Sequence, residues 1–145
     1  MNYKVIILAT ITMLFVACGH KSTTEKNTEI DNPRNGVEVL YFHGKQRCVT
    51  CKAIEQLTLE VLEANFADEL KDGTIVFRSI DLSQPENEAI ADKYEVTWSS
   101  LFVNKWLNGV EIKTNMTDFG FSYAKNQPEV FKEGLKEKLN QVLAN

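Results

Sequence analysis

No cluster of lysine or arginine occurs anywhere in this sequence, and its formal charge is −4. Nothing is therefore present to neutralise a phosphate backbone, which excludes a nucleic-acid partner. Cysteine is scarce: three in 145 residues, too few for a disulfide scaffold. Histidine is scarcer, with two, and of these only His43 lies after residue 36 with Cys48 and Cys51, which leaves a structural zinc site there short of its usual four ligands. No internal repeat is present. The longest apolar run, Val5 to Val16, is shorter than the roughly 20 residues a membrane-spanning helix needs.

That run has the length of a signal-peptide core and comes after the positive charge of Lys4. It ends in Phe15-Val16-Ala17-Cys18, a small residue directly before a cysteine. The tetrapeptide resembles a bacterial lipobox, with Phe15 where leucine is usual. The resemblance implies cleavage between Ala17 and Cys18 and a lipid on Cys18. A non-cleaved N-terminal anchor is the rival reading. Both place the rest of the chain outside the cytoplasm, tethered to a membrane, where cysteine pairs can be oxidised. Residues 18–36 turn to Lys, Ser, Thr, Glu, Asn and Asp, with Pro33 and Gly36 near the end. With no apolar period, they read as a flexible tether. Residues 1–17 are then the leader and residues 37–145 a single domain, long enough for one core.

Within that domain Val37 to Phe42 reads as a strand buried on both faces. Ile54, Leu57, Val61, Leu62, Phe66 and Leu70 recur at helical spacing, predicting one helix from Thr50 to about Leu70. Asp72-Gly73 ends it. Thr74 to Ile80 is a second strand, and a short helix opened by Pro85 runs to Tyr94. Ser99 to Leu107 and Val110 to Thr114 form a hairpin about Asn108-Gly109, the strongest turn signal of its kind. Residues 116–127 read as a loop or a short helix that packs aromatic rings, and Pro128 opens a last helix.

The two remaining cysteines stand between the first strand and its helix as Cys48-Val49-Thr50-Cys51. A helix N-terminus leaves backbone N–H groups unpaired and carries partial positive charge, so a thiolate placed there is stabilised. Two intervening residues let the second sulfur come within disulfide distance in the first turn. This is the chemistry of a dithiol–disulfide exchanger.

Strand, C-x-x-C, helix, strand, helix, hairpin and helix together resemble the thioredoxin family, from Val37 to the C-terminus. The resemblance implies an α/β thioredoxin-like fold, a central mixed β-sheet flanked by helices. It makes Cys48 the exposed attacking cysteine and Cys51 the shielded resolving one, with no cofactor beyond the redox-active disulfide. It implies client protein disulfides as partners and a monomer; the lipobox-like leader adds an envelope electron donor and a lipid-anchored place in the bacterial envelope facing the periplasm. The family's cis-proline position falls on Ser99, followed by Ser100, a loop where Trp98 either borders a substrate groove or joins the core. Val49-Thr50 replaces the Gly-Pro of thioredoxin, which leaves the direction of electron flow open.

The family's buried acid has no counterpart in Tyr41-Phe42-His43. His43 either moves protons in its place, as imidazole can near neutrality, or is an ordinary strand-end histidine. Arg47 either favours the thiolate through its charge or is a surface side chain. The stretch from Tyr41 to Glu55 further resembles a bacterial thioredoxin-like subgroup, some of whose members occur with transport proteins for arsenicals. This opens a second function class: Cys48, Cys51 and His43 holding a soft metal ion or metalloid, which thiolates suit. A third is a static disulfide in an interaction domain.

Overall fold

A computed structural model describes residues 35–144. The leader, the Cys18 lipidation site and residues 18–34 of the tether lie outside the described residues. The first strand, β1 (Gly36–His43), is the hub of the sheet. It pairs in parallel with β2 (Ile75–Asp81), Val37 opposite Ile75 through His43 opposite Asp81. On its other side it runs antiparallel to β3 (Ser100–Leu107), with Phe42 opposite Ser100. The edge strand β4 (Val110–Ile112) completes the order β2-β1-β3-β4. Asn108 and Gly109 both take positive φ, 52° and 78°, as a tight hairpin requires.

Alternation along β1 sends its side chains to two apolar layers. Val37, Val39 and Tyr41 join Leu101 and Val103 under helices α1 (Val49–Asn65) and α5 (Pro128–Ala144), which contribute Ile54, Leu57, Val61, Leu62, Phe131, Leu135 and Leu139. Phe42 faces the other way and packs on Tyr94 of α3 (Glu88–Tyr94) and on Phe102, with ring centroids 5.3 and 5.9 Å away. The sheet is thus covered on both sides.

Three expected elements are corrected. The helix from Thr50 to Leu70 is broken: α1 stops at Asn65, and a short α2 (Ala67–Asp72) comes next. Phe66 sits between them at φ −137°, and the Asn65 amide bonds back to the Val61 carbonyl at 2.9 Å. Its side chain offers the backbone an alternative partner where the helix ends. The helix opened by Pro85 divides into a 3-10 turn, Pro85–Asn87, and α3. The last strand is shorter than Val110 to Thr114, because β4 ends at Ile112 and the chain rejoins β3 through the bridge of Phe102 with Asn115. Residues 117–123 form a helix, α4 (Thr117–Tyr123), which sets Phe119 against Phe131 of α5.

Candidate active site

β1 ends at His43, and five residues later Cys48 occupies the N-cap of α1. Its backbone is extended, and its sulfur accepts a hydrogen bond from the Cys51 amide at 3.0 Å. A cysteine here does what serine or aspartate does at other helix starts, satisfying an orphan donor. Cys48 is exposed, whereas Cys51 is buried at 7% exposure. The two sulfurs are joined in a disulfide, with Cα atoms 5.0 Å apart. No acidic residue stands in the first turn of α1, so nothing there opposes the N-terminal field that favours a thiolate.

The register of the sheet brings a second segment alongside. With Ser100 opposite Phe42, Trp98 and Ser99 lie beside the loop that carries Cys48. Both peptide bonds at Ser99 are trans, as are all others among the described residues. Ser99 and Ser100 are buried, and the Ser100 hydroxyl donates to the Trp98 carbonyl at 3.0 Å. Trp98 is 56% exposed and rests on Phe121 of α4, 5.3 Å between centroids. It therefore stands outside the core. Val49, between the cysteines, is exposed as well.

Beneath the cysteines lies Tyr41, fully buried, whose hydroxyl donates to the Cys51 carbonyl at 2.6 Å. Burial pushes this phenol up, against the opposing pull of Ser99 and Arg47, so it remains a protonated donor. The Arg47 guanidinium lies over the Tyr41 ring, 5.5 Å from its centroid, and pairs with Glu55 of α1 at 2.5 Å. Ser79 on β2 donates a second hydrogen bond to Glu55. Partial burial works to raise the Glu55 carboxyl, but Ser79 and Arg47 outweigh it and hold it below the usual value. His43 stacks on Tyr41 at 6.1 Å, and its Nδ1 is 3.1 Å from the Gly44 carbonyl.

Tyr41 and Glu55 are two residues of the site that sequence reasoning gave no role. The signal available was spacing: Glu55 lies seven residues after Cys48, two helical turns, and so shares its side of α1. Among the described residues no group of three or more His, Cys, Asp or Glu stands ready to hold a metal ion, and the Cys48 and Cys51 sulfurs are bonded to each other.

A parallel β1-α1-β2 unit, extended by an antiparallel β3-β4 hairpin and opened by a cysteine pair at the start of α1, decides the architecture. The fold is thioredoxin-like. Among solved structures, the chain is similar to a thioredoxin-like protein from Clostridium perfringens, at 12% identity over 74% of this chain and 71% of that one, TM-score 0.46. It is similar also to thioredoxin-2 of a malaria parasite, at 19% identity over 69% and 84%, TM-score 0.43. A thioredoxin from Thermus thermophilus matches at 18% identity over 69% and 74%, TM-score 0.41. No protein-family model and no curated protein matches the chain. The exposed Cys48 and the buried Cys51 stand together at the start of α1.

Proposed function

We propose that this chain is a membrane-tethered thiol–disulfide oxidoreductase of the bacterial envelope that reduces disulfides in client proteins. The division between an exposed Cys48 at a helix N-cap and a buried Cys51 bonded to it carries the reading. In the reduced protein the Cys48 thiolate attacks one sulfur of a client disulfide, forming a mixed disulfide and releasing the other client sulfur as a thiolate. Cys51 then gives up its proton and attacks Cys48 Sγ. The Cys48–Cys51 disulfide forms, and the second client sulfur leaves and takes up a proton. Two electrons have passed to the client, and a dithiol donor of the envelope must return them. Trp98 and Val49 offer the client an apolar rim.

Tethering rests on the lipobox-like end of the leader at Cys18. A tethered domain is well placed to draw electrons from a membrane-embedded reductant, which is why the reductive direction is chosen. The reduction potential of the Cys48/Cys51 pair, measured on metal-free protein in defined thiol buffers, tests the direction. A value near about −270 mV, as in thioredoxin, is expected; one near about −120 mV, as in a strong periplasmic oxidant, reverses the direction. A pair that cycles only after a bound ion is stripped favours the soft-metal module instead. Cys18→Ser is expected to release the protein from the membrane fraction.

A further inference from the structure

The charge that precedes the exposed sulfur is not free. Arg47 adjoins Cys48 in the chain, yet its guanidinium is drawn onto the Tyr41 ring and into an ion pair with Glu55. Both side chains of that pair are 20% exposed, so water screens them only in part. Glu55 is itself fixed from the far side by Ser79 of β2. Three elements thus converge on one guanidinium: Tyr41 from β1, Glu55 from α1 and, through Glu55, Ser79 from β2. The other titratable groups about the site are His43 at the end of β1, Asp81 at the end of β2, and the exposed Lys45 and Lys52. Of all these, Glu55 is the carboxylate in direct contact with Arg47.

Free of its partner, an arginine beside a helix N-cap thiol adds to the helix field and makes the thiolate more abundant. Held in the ion pair with Glu55, its planar head is kept on the tyrosine ring and is not free to turn toward the sulfur. We propose that Glu55 is a positioning residue that sets the reactivity of Cys48: by holding Arg47 against Tyr41 it restrains the thiolate and keeps the pair less oxidising. The inference takes its importance from the oxidoreductase reading above, but the quantity it concerns belongs to Cys48 alone.

The test is the rate at which iodoacetamide alkylates Cys48 in the reduced full chain across pH 4–9, the modified residue being identified by peptide mass. Glu55→Gln keeps the shape and a bond to Ser79 and removes the charge. It is expected to speed alkylation about three- to tenfold on the acidic side of the profile. Arg47→Gln is expected to slow it. The deciding comparison is Glu55→Gln made in the Arg47→Gln background, where the acceleration shrinks well below its value in the parent. Ser79→Ala, which leaves both charges in place and loosens Glu55, moves the profile in the same direction by less; Glu55→Asp restores it. Melting curves confirm that each variant is folded. An unchanged profile in Glu55→Gln overturns the proposal. So does an equal acceleration in both backgrounds, since the carboxylate would then act on the sulfur directly. No client takes part, so a chain that fails to reduce proteins still reports on Glu55, and a working reductase with a flat Glu55→Gln profile refutes this inference alone.

Discussion

Tyr41 shows how much one hydroxyl can hold together at the residue scale. Its ring fills the layer beneath α1, and its oxygen reaches the Cys51 carbonyl inside the first turns of that helix. Tyr41→Phe keeps the ring and removes the bond. The Cys51 carbonyl lies within a continuing helix and keeps its intrahelical partner, so the expected loss is about 1 kcal/mol in denaturant unfolding, with no cavity. A second residue makes a prediction with a pH signature. Glu38, near the start of β1, is 1% exposed, accepts from the Trp106 indole at 3.2 Å and lies 3.5 Å from Arg78. Burial drives its carboxyl up from the ordinary 4.5, against the opposing effects of Trp106 and Arg78. The folded state therefore holds this proton more tightly than the unfolded chain does. The stability it contributes is complete below about pH 4.5 and is lost as pH rises through the higher folded value. Glu38→Gln has no such loss. Its melting temperature relative to the parent should climb as pH rises through that window and then level off; a constant or falling difference contradicts the assignment.

Elements differ in how plainly they announce themselves. The short helix α4 carries Gly120 at its centre, and an added Cβ there would come within 3.2 Å of Ile54 in α1. The glycine lets two helices approach, a reason visible only once both are in place. Opposite it, Gly134 of α5 faces Phe119, and a Cβ on Gly134 would collide with the ring's Cζ. That ring is held between Tyr123 and Phe131, at 5.0 and 5.8 Å. Gly134→Ala gains about 1 kcal/mol in helix propensity, yet the crowded ring must move, and overpacking costs about 1–3 kcal/mol. A net loss of stability is expected in thermal or denaturant unfolding; a gain would mean that the ring turns aside freely.

The apolar run of β1, the cysteines at a helix start and the Asn108-Gly109 turn were legible because each depends on neighbours in the chain. The break at Phe66 was not, since Phe66 and Leu70 keep the helical period across it. Nor was the buried acid of β1, whose indole partner Trp106 lies 68 residues away. It sits toward the opposite end of β1 from His43 and the cysteines. At the site, the cysteine spacing was read from the chain, while the seat of Arg47 on the Tyr41 ring needed α1 to be folded back over β1.

On the scale of the whole molecule, the parallel pairing of β1 with β2 and the start of β3 collect the functional groups at one end of the sheet. His43, Asp81 and Ser100 mark that end on three adjacent strands. The described chain enters at the opposite end of β1, through Asn35 and Gly36, where the Asn35 side chain accepts from the Asn108 amide at 2.8 Å. The proposed exchange reaction depends on unequal roles for the sulfurs of Cys48 and Cys51. The most direct measurement mixes the reduced protein with a small excess of an aromatic disulfide and tracks the adducts by intact mass. In Cys51→Ser a single stable mixed disulfide on Cys48 is predicted, while the parent passes through it to the Cys48–Cys51 disulfide and retains none. Persistent adducts on the parent, or equally fast capture by Cys51 in Cys48→Ser, would contradict the account.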